Sequence, residues 1–288
     1  MRKLILFPIY FYAAIRHTRL IKLLGPVDLL IGKIFERFPI KTNFNFKLFM
    51  RHPLNLYLLL NGYHERDITV IVLNILKEGD LCIDVGAHCG YYTLLFSKIV
   101  KEKGVVISFE PDKNNLSLLI SNVKLNKCNN VKIYPYAVSD NDSFAILSVD
   151  KKTGFDSYIM EATKSNIDSK ILMVKTIKLD SLNYEKPVNL LKLDVQGNEV
   201  RVLKGSHKVL RNTKYVIFEY CPDMIVKRTK ENPLLVFEIL SKNNFNLYLI
   251  KNERFIKLNK LDKNEFEKLT YELLMNGSYA HILAIKNY

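Results

Sequence analysis

Residues Leu81–Val85 read LCIDV, and the chain continues GAHCG before apolar residues resume at Tyr91. A short run this apolar, bounded by turn residues, fits a strand covered on both faces. Gly86 and Gly90 then frame a turn into an apolar helix over 91–100. A buried strand passing through glycines into a helix opens a parallel α/β unit. That restricts what the rest of the chain can be.

The pattern repeats. Strand-like runs at 105–110, 131–138, 188–194 and 214–220 alternate with helical periodicity at 65–76, 114–126 and 198–210. Residues 143–149 and 171–178 alternate like an antiparallel pair. A helix near 233–243 and strands near 247–250 and 281–285 follow. The expected fold class is therefore α/β, with a mainly parallel sheet covered on both faces. A length of 288 residues accommodates one large domain over 62–288 and an N-terminal segment over 1–61.

That segment is the basic part of the chain. Residues 1–61 hold ten Lys or Arg against Asp28 and Glu36 alone, while the whole chain carries a net +14. Positive charge gathered at one end argues against a nucleic-acid groove across the main domain. The uncharged run at 4–15 is too short to span a bilayer, and no cleavage site of small residues follows it. After Gly25-Pro26, apolar residues recur at Val27, Leu30, Ile31, Ile34, Phe35 and Phe38 with charged residues between them. This is an amphipathic helix, suited either to an anionic membrane surface or to packing on protein. Cys82, Cys89, Cys128 and Cys221 show no paired spacing, so a reducing, cytoplasmic setting is expected.

The two glycines sit where an open parallel sheet binds its ligand, at the carboxyl end of a strand. Gly86 permits a sharp turn and close backbone approach, and Gly90 permits close packing where the helix begins. Twenty residues past Gly90, Glu110 ends the next strand in FEPD, placed to accept both hydroxyls of a ribose. A dinucleotide site wants G-x-G-x-x-G, but His88 stands in place of its second glycine. The spacing Asp84-x-Gly86-x-x-x-Gly90 suits S-adenosylmethionine better than NAD, with Asp84 near the ligand's ammonium. Ala87, His88 and Pro111 complete the expected cofactor wall. Asp140, in AVSD, lies where it can approach an adenine edge or simply make a turn.

The segments CIDVGAHCGYYTLL, FEPDKNNLSLLISNVKLN, YPYAVSD, KLDSL, LLKLDVQGNEVRVLKG and IFEY occur in this order. Together they resemble the FkbM-type methyltransferases, a branch of the Rossmann-like S-adenosylmethionine-dependent enzymes. The resemblance implies a seven-stranded sheet with its last strand antiparallel. It also implies methyl transfer to a hydroxyl of a sugar, glycan, lipid or small metabolite. His88, Gln196 and Asn198 depart from the residues common in that family.

A hydroxyl acceptor must be aligned with the methyl group and must lose a proton, which calls for a nearby base. Asp194 ends one strand, Glu199 follows in the next helix, and Glu219 ends the adjacent strand. These three acids are the expected catalytic set. No octahedral ligand set for Mg²⁺ is evident in the sequence, so no metal is assigned. An RNA methyltransferase is the competing enzyme, but DVQGNE lacks the Asn/Asp-Pro-Pro-aromatic run that grips a flipped base. The non-enzymatic alternative is a membrane scaffold that binds the cofactor without turnover.

Overall fold

The computed structural model describes residues 36–50, 54–150, 157–160, 169–251, 254–258 and 263–287. The helix expected after Pro26, with the membrane contact expected of it, lies outside these residues up to position 35, and 36–38 form a turn. No helix among the described residues is long and apolar enough to cross a membrane.

A two-stranded hairpin, β1 (Ile40–Lys41) and β2 (Lys47–Leu48), precedes helices α1 (Leu54–Asn61) and α2 (Arg66–Ile75). The alternating units then run β3 (Leu81–Val85), α3 (Tyr91–Val100), β4 (Val105–Phe109), α4 (Lys113–Leu125) and β5 (Val131–Tyr134). A short strand, β6 (Ala137–Val138), leads into β7 (Phe144–Asp150), β8 (Ser157–Met160) and β9 (Ser169–Ile177). Next come β10 (Val188–Leu193), α5 (Glu199–Lys204), α6 (His207–Arg211) and β11 (Thr213–Tyr220). The chain closes with α7 (Pro222–Thr229), α8 (Leu235–Lys242), β12 (Phe245–Lys251), β13 (Arg254–Leu258), α9 (Lys263–Asn276) and β14 (Ala280–Lys286).

The main sheet has the order β13-β12-β14-β11-β10-β3-β4-β5. Strands β5, β4, β3, β10 and β11 are parallel, and β14 inserts antiparallel between β11 and β12. Among the described residues the sheet has eight strands against the seven expected, because β13 folds back on β12 as an edge hairpin. Two expected elements are divided. Pro135 cannot donate to a ladder, and the run at 131–138 splits into β5 and β6 around it. The helix expected over 198–210 breaks at Gly205, where a side chain would overlap the Ser139 carbonyl. The pair expected at 143–149 and 171–178 is β7 and β9, joined by β8 and β6 in a second sheet.

Strand alternation sorts the core. Leu81, Ile83 and Val85 enter one buried cluster, with Leu191, Leu193, Val216 and Phe218. Cys82, Val106, Leu190, Ile217 and Leu283 enter the cluster on the opposite face. Two residues further along those strands, this second face becomes polar: Asp84, Ser108, Lys192, Glu219 and His281 replace the apolar side chains. The second cluster also contains Ile40, Phe46, Leu48 and Leu58, so the described part of the N-terminal segment packs against α3. Phe46 is 1% exposed and meets the edge of Tyr91. Phe46→Ala should lower the unfolding free energy by about 3–5 kcal/mol in denaturant titration, the cost of emptying a packed aromatic site.

Candidate active site

The β3–α3 turn is built from backbone. Gly86 has φ +80°, and a Cβ there would overlap the carbonyl oxygen of Asp194. Gly86 and Ala87 both donate backbone N–H groups to the Phe109 carbonyl, at 3.0 and 2.9 Å. The turn is thereby fixed to the ends of both β4 and β10. Gly90, with φ +94°, lets α3 start against Leu119. His88 takes φ +53° despite its side chain, and its N–H donates to Glu110 Oε2 at 2.8 Å.

Glu110 is 3% exposed, and its Oε1 accepts from the Asp112 N–H at 2.8 Å. Burial outweighs these two bonds and pushes its pKa up to about 8. Asp84 is 1% exposed, with Oδ2 accepting from the Thr93 hydroxyl at 2.6 Å. Its Oδ1 is buried without a hydrogen-bond partner among the described residues. Burial raises the Asp84 pKa, and Lys192 opposes that rise.

A cavity of about 260 Å³ opens at this rim. Asp84, Gly86, Ala87, His88, Glu110 and Pro111 line it on one side. Asp194 and Glu219 line it on the other, together with Glu65, Tyr92 and Lys192. Tyr136 and Tyr158, the latter from β8 of the second sheet, also line it. Gly90 and Asp140 are not among the residues that line it. Asp140 accepts from the Ser139 hydroxyl at 3.1 Å. Glu199 does not reach the cavity either. It is buried, accepts the Gly197 N–H at 3.1 Å, and fixes the turn after β10. Burial pushes its pKa up to about 7.

Lys192 organises the acidic wall. It is 5% exposed, and its ammonium donates to Asp194 Oδ2 at 3.2 Å and lies 4.4 Å from the centre of the Tyr92 ring. Burial alone would lower its pKa; Asp194, Asp84 and Glu65 more than reverse this and hold it charged. The Tyr92 hydroxyl donates to Glu65 Oε2 at 2.7 Å. Glu65 Oε1 stands 3.5 Å from His281 Nε2. The Glu219 side chain makes no hydrogen bond or ion pair among the described residues, although its backbone belongs to the β11–β14 ladder. Burial, then Asp194, Glu65 and Glu199, pushes it up to about 8.

The sequence model of the family described as Methyltransferase FkbM domain matches residues 84–247. This chain belongs to the FkbM methyltransferase family. Its members are S-adenosylmethionine-dependent enzymes, and the match begins at Asp84, on the wall just described. Hexuronic acid methyltransferase AglP of Haloferax volcanii is 28% identical over 168 residues, which cover 54% of this chain and 62% of that protein. The match thus spans less than two thirds of that relative. The structure of methyltransferase FkbM from Methylobacillus flagellatus KT aligns over 80% of this chain and 52% of its own, with 15% identity and a TM-score of 0.47. A putative rRNA-methylase from Clostridium thermocellum aligns over 77% of this chain and 95% of its own, with 11% identity and a TM-score of 0.46.

No local spacing marks Glu65, Tyr92 or His281 as parts of an FkbM-family site, since they come from separate elements. Lys192 does carry a signal. A lysine inside an apolar run of a strand covered on both faces must be buried, and a buried ammonium needs anionic partners. Lys192→Met should lower the unfolding free energy by about 3 kcal/mol, the lower end of the range for a broken buried pair, since the Asp194 side chain is 29% exposed. Chemical denaturation at neutral pH measures this.

Proposed function

We propose that this chain transfers a methyl group from S-adenosylmethionine to a sugar hydroxyl. The observation that carries the proposal is the pairing of two carboxylates at one cavity. Glu110 is immobilised by two backbone amides beside the glycine turn. Asp194 is held by Lys192 on the opposite wall. The residues present fit the methyl donor. Glu110 has the position and fixed oxygens to accept ribose hydroxyls, and the unpartnered Asp84 Oδ1 suits an ammonium. When bound, S-adenosylmethionine supplies a methyl group activated by its sulfonium.

Asp194 is the base in this proposal. Its Oδ2 is oriented by Lys192, and Gln196 Nε2 donates to its Oδ1 at 3.3 Å. Both contacts fix the carboxylate in place at the cavity, where it can accept the acceptor's proton. Tyr136 and Tyr158 add aromatic side chains to the cavity lining. The named activity of the Haloferax relative makes uronic acid units the first acceptors to test.

Glu110→Ala should weaken S-adenosylhomocysteine binding by roughly 1.5–3 kcal/mol, as for hydrogen bonds to a charged group, in isothermal titration. Ribose hydroxyls donate best to ionised Glu110, so binding to the protonated form must expel a proton. With Glu110 pushed up to about 8 by burial, affinity should rise as pH climbs toward 8 and flatten above it. Affinity that stays level or falls from pH 6.5 to 8 would contradict the ribose assignment.

Asp194→Asn should bind S-adenosylhomocysteine nearly normally while turnover falls by on the order of a hundredfold. The assay is a screen of uronic acids and uronate-bearing glycans with radiolabelled methyl donor. Unchanged turnover in Asp194→Asn on a validated acceptor would remove the base assignment.

A further inference from the structure

The acidic wall ends in a grouping that methyl transfer as proposed does not use. Glu219 and His281 face each other directly across the β11–β14 ladder, so their side chains leave the same face of the sheet. Glu65 reaches the same point from the start of α2, with φ +43°. One carboxylate oxygen from each glutamate and one His281 ring nitrogen all lie within 4.8 Å of one another. All three residues are partly buried.

We infer that Glu65, Glu219 and His281 form a binding site for one divalent transition-metal ion, of the manganese or zinc class, on the acceptor side of the cavity. Three geometric observations support it. First, Glu65 Oε1 and His281 Nε2 are 3.5 Å apart. Two ligands about 2.1 Å from a tetrahedral ion are separated by about 3.4 Å, so this pair needs almost no movement. Second, Glu219 has no donor among the described residues to satisfy it, though it lines the cavity and directly opposes His281. Third, Glu65 is oriented from behind. The Tyr92 hydroxyl occupies Oε2 and leaves Oε1 between His281 Nε2, at 3.5 Å, and His64 Nε2, at 3.8 Å. Such outer hydrogen bonds characterise metal ligands.

The donor set decides the metal class. An imidazole nitrogen with two carboxylates favours manganese, iron or zinc over magnesium, which prefers oxygen ligands alone. Three protein ligands leave a further coordination position, and Glu65 and Glu219 both face the cavity. That position would hold an oxygen of the acceptor, a role that rests on the methyl-transfer proposal. The grouping leaves no local sequence trace because its ligands come from three distant segments, which is why no metal is assigned from the sequence.

The test uses the full chain stripped with chelator, with no methyl donor or acceptor present. Mn²⁺ is titrated and followed by electron paramagnetic resonance, and Zn²⁺ and Mg²⁺ by calorimetry. One site per chain is expected for Mn²⁺ and Zn²⁺, each binding at least tenfold more tightly than Mg²⁺. Glu219→Gln and His281→Gln, each checked for wild-type circular dichroism and S-adenosylhomocysteine binding, should each weaken Mn²⁺ binding at least tenfold. Absence of a stoichiometric site in the wild type would overturn the inference, as would equal affinity in either folded variant. A preference for Mg²⁺ would overturn the imidazole's part in it. Metal binding without S-adenosylhomocysteine binding would leave the site standing and remove the methyl-transfer proposal instead.

Discussion

The site depends on how closely the backbone at Gly86 approaches the Asp194 carbonyl. That contact brings the rims of β3 and β10 together with no side chain between them. The Asp194 N–H in turn donates to the Val85 carbonyl at 3.0 Å, continuing the ladder to the last residue before the turn. A Cβ at position 86 would push the two rims apart and would also be strained at that positive φ. The Glu110 wall and the Asp194 wall face one cavity because this junction is tight.

A second constraint is the alternation of side chains along parallel strands. One face of the sheet stays apolar to the strand ends, as Val85, Phe109, Leu193 and Phe218 show. The other face changes character near the carboxyl ends, where Asp84, Ser108 and Lys192 stand side by side in register. Putting five acids at that rim requires compensation, and Lys192 supplies the buried cation. Its contacts with Asp194 and the Tyr92 ring, and through Tyr92 with Glu65, tie the acidic wall together.

The cavity wall proposed for the cofactor was legible as a wall, except for Gly90 and Asp140, because it is local. Strand, glycine turn and helix are consecutive, and Glu110 follows one strand later at a fixed place in the same unit. The acceptor side was only half legible. Asp194 and Glu219 are strand ends, so the α/β pattern places them at the correct rim. Glu199 is equally close in sequence, yet its first-turn position points it into the turn it stabilises. Glu65 and His281 reach the rim only through packing of α2 and through an antiparallel insertion, and neither leaves a periodic trace. The edge strand β13 and helices α7 and α9 went unread for a related reason. Segments such as β13 and α7 are short, and α9 carries only a weak apolar stripe, so their patterns stay faint until the sheet gives them a surface.

The most direct test of the account is a crystal structure of this chain with S-adenosylhomocysteine. The ribose hydroxyls should lie within hydrogen-bond distance of the Glu110 carboxylate. The amino-acid end should lie near Asp84, and the sulfur should face the wall formed by Asp194 and Lys192. A ligand whose ribose contacts another residue, or whose sulfur points away from Asp194, would contradict it.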